Sequence, residues 1–374
     1  MRVLIACDKF KGSLTATEAC EALRDGLREA GSSDDLVVCP IADGGEGFTE
    51  SMVTALNGQW RSCESFDALH NPVEARYGLL PDASGELEAA LEMAEASGLW
   101  RIPAESRDVL HSSTFGTGSM IRDAVNEGAR RILIGIGGSA TNDGGAGMLA
   151  ALGVKFLDSG GTELDPVPAC LVNLASVDTT GLLELPPIEV ACDVENPLLG
   201  PHGASAVYAP QKGAGEDEIR FLEEALTRLV QVTGTTEAAE TPGAGAAGGL
   251  GFGLMCFAGA RLRNGFNMVA DALELPAQMA AADFVVTGEG ALDGQTLRGK
   301  APMGLALLAR EHGKRIVAVG GRVDPIVEEC QWFDATFSLE SFGLGEDECM
   351  FRAEELVRKM GGEVAGLLRH WEDE

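Results

Sequence analysis

The first sixty residues alternate between short apolar runs and one amphipathic segment. Apolar runs at 3–7 and 36–41 predict two strands. Between them, apolar residues recur at helical spacing from about Thr15, and Thr15 with Glu18 forms a capping-box pattern at the start of this helix. A short helix follows the second strand. This β-α-β-α order is typical of the beginning of a parallel sheet.

The rest of the chain continues the pattern with one interruption. At 60–80, short strand-like runs broken by His70-Asn71-Pro72 predict a hairpin. Further strands are predicted at 131–136, 188–192, 284–287, 315–319 and 335–338. Further helices are predicted at 87–96, 114–129, 146–152, 216–232, 303–312, 325–331 and 350–370. The segments 137–147, 235–247 and 288–299 are glycine-rich and predict loops.

The alternation of predicted strands and helices is clearest at the two ends of the chain. It predicts an α/β protein in which 1–60 plus 270–374 form one discontinuous domain, and 61–269 form a second α/β domain inserted into it.

Charge and composition exclude several classes of protein. The 374 residues carry a formal net charge of -30, which repels nucleic acid and anionic membrane surfaces. The longest apolar stretch, 248–262, is too short to span a bilayer, and no signal peptide precedes the first strand. Nine cysteines without a CxxC pair, and five scattered histidines, favour reduced thiols over disulfides or a zinc site. We therefore expect a cytoplasmic protein.

Glycine and polar residues alternate through 137–147, between a predicted strand and a predicted helix. Gly137 and Gly138 let the backbone approach an anion closely, Ser139 and Thr141 can donate hydrogen bonds, and Asn142 can orient them. We predict that these five residues bind the phosphates of a nucleotide, although a tight structural turn is the alternative. The chain contains neither the GxxxxGK[ST] loop nor the dinucleotide fingerprint, so a nucleotide would be bound by another design.

Two loops follow the first two strands, where α/β sheets place ligands. The first contains Asp8, Lys9, Lys11 and Ser13; its lysines could offset phosphate or carboxylate charge. The second contains Asp43, which could hold Mg²⁺. A solvated capping loop and an Asp-Gly turn are the alternatives.

Three later segments carry further acid and lysine groups. Asp193 ends a strand, which is a common position for a metal ligand or a base, and Lys212 follows nearby. The segment 287–300 supplies carboxylates, an amide and cations of the kinds that phosphoryl transfer requires. Its candidate residues are Gly288, Glu289, Gly290, Asp293, Gln295 and Lys300. The glycines of 242–251 fit either an anion-binding or hinge loop or a close-packed turn.

Taken in order, these segments resemble the bacterial glycerate kinase family, the group distinct from eukaryotic-type glycerate kinases. The resemblance extends from 8–14 through 43–47, 137–147, 193–197 and 211–213 to 288–300. It implies ATP and Mg²⁺, glycerate as acceptor, 2-phosphoglycerate as product, and a Rossmann- or flavodoxin-like domain with a distinct inserted α/β domain.

Residue roles within this resemblance are hypotheses, with the reaction placed in a cleft between the two domains. We expect Asp193 and Asp293 to act as base or metal ligand, and Lys11, Lys212 and Lys300 to neutralise phosphate and carboxylate charge. The glycine-loop residues, with Gly288 and Gly290, are candidates for the nucleotide. Candidates for the substrate are Asp8, Lys9, Ser13 and Gln295, and candidates for the metal are Asp43, Asp193, Glu289 and Asp293.

Other functions remain open from the sequence. A kinase of another small hydroxy acid would use the same loops with a different acceptor pocket. A non-catalytic sensor of a nucleotide or organic acid would need only one pocket, whereas acid and lysine groups occur on at least four loops. A dinucleotide oxidoreductase fits less well because the glycine spacing differs. The oligomeric state is open, with a homodimer among the alternatives.

Overall fold

The computed structural model describes residues 1–42, 44–81 and 85–373, apart from the side chains of Arg298 and Asp373. The strands are β1 (Arg2–Cys7), β2 (Asp35–Val38), β3 (Gln59–Phe66), β4 (Pro72–Pro81), β5 (Leu87–Glu92), β6 (Arg131–Gly135), β7 (Lys155–Leu157), β8 (Ser176–Asp178), β9 (Ile188–Ala191), β10 (Arg261–Arg263), β11 (Phe284–Leu292), β12 (Arg315–Val323) and β13 (Ala335–Ser338).

The helices are α1 (Ala16–Glu29), α2 (Phe48–Ala55), α3 (Ala94–Ser97), α4 (Phe115–Asn126), α5 (Ala146–Ala151), α6 (Pro168–Leu171), α7 (Ala204–Tyr208), α8 (Glu216–Thr233), α9 (Thr236–Ala239), α10 (Ala246–Ala258), α11 (Gly265–Ala272), α12 (Leu275–Ala281), α13 (Ala301–Glu311), α14 (Pro325–Glu329), α15 (Glu346–Phe351) and α16 (Ala353–Asp373). Short 3₁₀ turns lie at Leu99–Arg101, Ala104–Ser106, Pro210–Lys212, Thr296–Arg298 and Leu339–Phe342.

The chain divides into two compact units. The first comprises Met1–Asp43, Glu50–Ala55 and Phe266–Glu374, and the second comprises Gly44–Thr49 and Leu56–Gly265. Whether they are domains with the boundaries predicted from the sequence stays a prediction.

The first unit is built on a five-stranded parallel sheet in the order β13-β12-β11-β1-β2. Numbered within the unit, this is the 2-1-3-4-5 order of flavodoxin-like folds, which confirms the predicted α/β class. The strand that follows β1 in sequence, β2, lies on one side of it, whereas β11 and the strands that follow it lie on the other side. The strand order therefore reverses between β1 and β11. Ligands of open α/β sheets bind at such a point, beyond the carboxyl ends of the strands.

Helix α1 begins and packs as its sequence predicts. Thr15 accepts a hydrogen bond from the Glu18 N–H, and the Glu18 carboxylate accepts one from the Thr15 N–H. Its apolar face, including Leu23 and Leu27, is buried in a cluster with strand β1 and helix α16. A Cβ on Gly26 would lie 1.8 Å from the backbone oxygen of Arg358, so this glycine permits the close crossing of α1 and α16.

The second unit contains a six-stranded mixed sheet in the order β10-β9-β6-β5-β4-β3. Strands β3, β4 and β5 are antiparallel to their neighbours within that set, whereas β5, β6, β9 and β10 run parallel. The predicted hairpin is thus present as β3 and β4. Helices α4, α5, α8 and α10 supply residues to one large core with this sheet.

The predicted helix at 87–96 is wrong over most of its length. Residues 87–92 form the central strand β5, and only the short helix α3 follows. Leucine, glutamate and alanine favour helices in isolation, but Ala89, Ala90 and Leu91 are completely buried in the middle of the sheet. Pairing with β4 and β6 therefore overrides the local preference.

Two predicted loops also differ from the structure. The segment 288–299 begins inside strand β11, which continues to Leu292 beside an equally long β12. The segment 235–247 contains helix α9 and the start of α10. In both cases glycine suggests a break, but backbone pairing or close packing continues through it.

Glu189 joins two arginines across the second unit's sheet. Its carboxylate accepts hydrogen bonds from Arg131 Nη2 and Arg263 Nη1, each at 2.7 Å, and Arg131 also contacts Glu88 at 3.1 Å. Burial disfavours the Glu189 carboxylate, but the hydrogen bonds from Arg263 and Arg131 outweigh that effect and hold its pKa below the usual value.

We expect Glu189→Gln to lower the free energy of unfolding by about 1–2 kcal/mol, because it leaves two half-buried arginines without their shared carboxylate. A depressed pKa stabilises the fold above the unfolded-state pKa, so the difference should shrink as pH falls below about 4. Urea unfolding measures both effects. Glu163→Gln, at an exposed pair with Lys155 of 3.9 Å, is the control and should cost less than about 0.5 kcal/mol. Equal losses in the two variants would contradict the prediction.

Candidate active site

A buried carboxylate organises the glycine loop that follows β6. Asp143 accepts hydrogen bonds from the Thr114 N–H and hydroxyl at 2.7 and 2.8 Å, and from the N–H groups of Gly147 and Gly145 at 3.0 and 3.1 Å. Burial raises its pKa, and these donors oppose the shift. The N–H groups of Gly145 and Gly147, at the start of α5, are therefore occupied by the Asp143 carboxylate.

Lys212 lies against the same loop. Its side chain is 1% exposed, and Nζ donates to Ser139 Oγ at 2.8 Å and to the Thr141 backbone oxygen at 2.6 Å. Burial lowers the pKa of Lys212 to about 7, although the charge of Asp143 opposes this. The structure thus brings together two segments that the sequence marks separately, 137–147 and 211–213.

Two buried polar atoms of this loop have no hydrogen-bond partner among the described residues. Asn142 Nδ2 donates to Ser205 Oγ at 3.1 Å, while Asn142 Oδ1 and Thr141 Oγ1 are buried without a hydrogen-bond partner among the described residues. A buried polar atom left unpaired costs about 1–3 kcal/mol, so a bound water or ligand group would stabilise this arrangement. Gly138 has the left-handed φ of 71° that glycine tolerates, and Gly137 passes close to Gly45.

The second glycine-rich segment, 242–251, packs against the first. The Gly248 backbone oxygen accepts a hydrogen bond from the Gly144 N–H at 3.0 Å. A Cβ on Gly248 would lie 2.0 Å from the Thr141 backbone oxygen, and one on Gly249 would lie 2.7 Å from Gly144 Cα. Of the two interpretations of this segment, the close-packed turn accounts for these contacts.

Two carboxylates of the second unit accept hydrogen bonds from other segments of that unit. Asp193 is exposed, and its Oδ1 accepts from Asn264 Nδ2 at 2.6 Å and the Gly265 N–H at 2.9 Å. The Glu92 carboxylate accepts from the N–H groups of Gly47 and Thr49 at 3.3 and 2.9 Å. Asp43, predicted to bind a metal, lies outside the described residues.

In the first unit, the loop after β1 meets strand β11 at the point where strand order reverses. The Asp8 N–H donates to the Gly288 oxygen at 2.8 Å, and the Asp8 carboxylate, 6% exposed, accepts from the Lys9 N–H at 2.7 Å. A Cβ on Gly288 would lie 2.4 Å from the Val319 oxygen. Gly290 similarly approaches the backbone of Phe10 and Lys11. Close backbone packing thus accounts for both glycines, and their predicted role toward a nucleotide stays a prediction.

The remaining predicted residues of the first unit form two small groups. Glu289 is buried, and its carboxylate contacts Thr296 Oγ1 and, at 3.1 Å, Lys300 Nζ. Asp293 Oδ1 accepts from the N–H of Gln295 at 2.7 Å and caps the turn that begins at Thr296.

Ser13 donates to the Phe10 oxygen at 3.0 Å and closes a turn, while Lys11 and Gln295 have exposed side chains.

Sequence reasoning missed several residues that shape these groups. Thr114 and Ser205 bond the glycine loop directly, and Asn264 bonds Asp193. Thr114 had a local signal, since a Ser-Ser-Thr run precedes a predicted helix. Ser205 and Asn264 are far from their partners in sequence, and no local sequence pattern indicates either contact.

Two absences in the described part of the chain bear on metals and membranes. It contains no group of three or more His, Cys, Asp or Glu side chains arranged to hold a metal ion. None of its helices combines the length and apolar character needed to cross a membrane.

Comparison with known proteins gives one consistent result. The model of the Glycerate kinase family matches residues 3–369. The chain is 39% identical to the glycerate kinase of Bacillus subtilis (strain 168), over 99% of this chain and 98% of that protein. It is 42% identical to the glycerate 2-kinase of Escherichia coli (strain K12), over 91% and 90% of the two chains.

A solved structure extends the likeness to three dimensions. The crystal structure of a protein assigned as glycerate kinase 2 from Salmonella typhimurium LT2 superposes with a TM-score of 0.89 at 41% identity, covering 100% of both chains. Fold, length and sequence agree along nearly the whole chain, so this protein belongs to the glycerate kinase family.

Proposed function

We propose that this chain transfers the γ-phosphoryl group of ATP to a hydroxyl of glycerate and releases 2-phosphoglycerate. As a member of the family it is an ATP-dependent phosphotransferase with an alcohol group as acceptor. The choice of the 2-hydroxyl follows the name of the Escherichia coli relative, a glycerate 2-kinase.

The observation that carries the proposal is the position of Lys212 against the glycine loop. A lysine that is 1% exposed and hydrogen-bonded to Ser139 and Thr141 is costly unless its charge is used. Phosphoryl transfer is catalysed mainly by positioning and by cations that stabilise charge on the transferred group and the substrates. Lys212 is such a cation, held rigidly beside unpaired polar atoms.

The residues present fit a nucleotide. Gly137 and Gly138 are exposed and have no side chain, so a phosphate can approach their backbone, and the buried atoms Thr141 Oγ1 and Asn142 Oδ1 lack partners among the described residues. We assign ATP to Gly137, Gly138, Ser139, Thr141 and Asn142.

The carboxylates fit Mg²⁺ in part. Mg²⁺ is usually held by one or two carboxylates together with substrate phosphates, so a larger acidic cluster is unnecessary. Asp193 and Asp293 are candidates to hold it, whereas Glu289 already contacts Lys300 and Thr296. When bound, Mg²⁺ would neutralise charge on the β- and γ-phosphates. We assign Lys11 and Lys300 to charge neutralisation, and Asp8, Lys9, Ser13 and Gln295 to the acceptor.

Phosphorus NMR of the purified protein with ATP, Mg²⁺ and glycerate tests the proposal. We expect a new phosphomonoester resonance coupled to the C2 proton of glycerate, growing as ADP appears. A resonance coupled to the C3 protons would reject the 2-hydroxyl assignment. ATP binding without turnover of glycerate or related hydroxy acids would reject the kinase and favour a sensor.

Lys212 also predicts a pH dependence. Its pKa of about 7 means that the cation is lost as pH rises, with Asp143, Asp108 and Arg107 as the nearby charged groups. We expect kcat/KM for glycerate to fall above pH 7 by up to about tenfold per pH unit. Lys212→Arg should abolish this fall, because arginine stays charged. Identical profiles for the two proteins between pH 6 and 9 would contradict the prediction.

A further inference from the structure

A small pocket in the second unit brings two basic side chains to one place. Arg107, from the segment after Ala104–Ser106, and Lys212 both line it. Its apolar side is formed by Ala68, Leu69, Leu99, Ile102 and Ala140. The space is about 10 Å³, which is enough for one water-sized group.

Both cations have donors that the protein does not use. Lys212 Nζ has three hydrogens and two acceptors, Ser139 Oγ and the Thr141 oxygen. Arg107 Nη1 donates to the Gln211 oxygen at 3.1 Å, but its buried Nε has no hydrogen-bond partner among the described residues.

No carboxylate of the described chain forms an ion pair with Arg107 or Lys212. Asp108 also lines the pocket, but its oxygens accept from the N–H groups of Leu110 and His111, and Oδ2 lies 2.8 Å from His111 Nδ1. In a protein with a net charge of -30, two neighbouring cations without an ion-pair partner are unusual. Like charges beside one pocket repel each other unless an anion lies between them.

We infer that this pocket binds the carboxylate of the acceptor, and that Arg107 selects a small acyclic hydroxy acid over neutral polyols. The inference rests on the proposed function and places the acceptor's carboxylate at this pocket instead of at Asp8, Lys9, Ser13 and Gln295. Guanidinium and ammonium donors match a carboxylate in charge and number. The space admits one carboxylate oxygen and does not admit an adenine ring.

Steady-state kinetics of Arg107→Gln test the inference. We expect KM for glycerate to rise about 10- to 100-fold, as for the loss of a charge-assisted hydrogen bond, with KM for ATP unchanged. Arg107→Lys should recover part of the loss. Glyceramide, the uncharged amide of glycerate, should distinguish the variants, because wild type should discriminate against it and Arg107→Gln should discriminate much less. Arg122→Gln, which removes an exposed arginine of the same unit, is the control and should behave as wild type.

The possible outcomes distinguish failure of the proposed kinase function from failure of the carboxylate site alone. If wild type does not phosphorylate glycerate, the proposed function fails. If wild type is active and Arg107→Gln, folded by circular dichroism, keeps its KM for glycerate, the carboxylate site alone is overturned. A rise in KM for ATP instead would assign the pocket to a phosphate and would also overturn it. If Arg107→Gln does not fold, Arg107→Lys decides by the same measurements.

Discussion

Replacing Lys212 by methionine lowers kcat/KM for glycerate by about 10²- to 10³-fold, the usual effect of removing one group that stabilises transition-state charge. Methionine has nearly the length of lysine and no charge. The space occupied by Lys212 stays filled, and the cost of burying an ammonium group disappears. Activity and stability should therefore change in opposite directions, with a free energy of unfolding equal to or above that of wild type.

A coupled assay for ADP release and urea unfolding measure the two quantities. Lys155→Met is the matched control, because Lys155 is an exposed lysine of the same unit. It should leave kcat/KM within about twofold of wild type, as surface changes away from a site usually do. Near wild-type activity in Lys212→Met would contradict the proposed role. Loss of folding in that variant would show instead that the lysine is required by the structure.

The prediction for Lys212 depends on a contact that the sequence only partly anticipates. Glycine, serine and threonine after a strand indicate an anion site, and a lysine in a chain with few lysines suggests a cation for it. Lys212 is 71 residues from Thr141, and the sequence alone does not show that its side chain contacts the loop that contains Thr141. That contact depends on how the second unit's core packs around β6 and β9, which is a long-range property.

The same reasoning explains which parts of the fold are predictable. Helix α1 has its capping box, its apolar face and its strand neighbours encoded within thirty residues, and it forms as predicted. Strand β5 has a helix-favouring composition and is a strand only because β4 and β6 lie on either side.

The glycines show most clearly what the sequence cannot predict. Gly245, Gly248, Gly249 and Gly288 suggest ligand loops, yet the atom nearest to an added Cβ at each of them belongs to another backbone segment. The residue type indicates that something approaches closely, but only the structure identifies what does.

Gly248→Ala should therefore reduce activity although Gly248 is not among the residues assigned to ATP or to the acceptor. Its φ of 66° disfavours alanine, and the added Cβ would lie 2.0 Å from the Thr141 oxygen. That oxygen accepts the hydrogen bond from Lys212 Nζ. Since the contact is with backbone, Thr141 must move, and Lys212 loses an acceptor that favours its charged form. Gly248 is in this sense a positioning residue.

We expect Gly248→Ala to lower kcat/KM about 10²-fold, as misplacement of a catalytic group commonly does, and to lower the free energy of unfolding by about 2–4 kcal/mol through overpacking and backbone strain. Gly259→Ala is the control, because Gly259 has a φ of 63° but no atom within 4 Å of the added Cβ. It should cost only about 1–2 kcal/mol of stability and leave activity unchanged.

The pH profile separates positioning of Lys212 from general damage to the fold. If Gly248 acts through the Thr141 oxygen, the fall of kcat/KM should begin at a lower pH in Gly248→Ala than in wild type, because the lysine loses its proton more readily. An unchanged profile with reduced kcat/KM would mean that the added methyl group harms the protein elsewhere, and the assignment of Gly248 to the Lys212 site would be wrong.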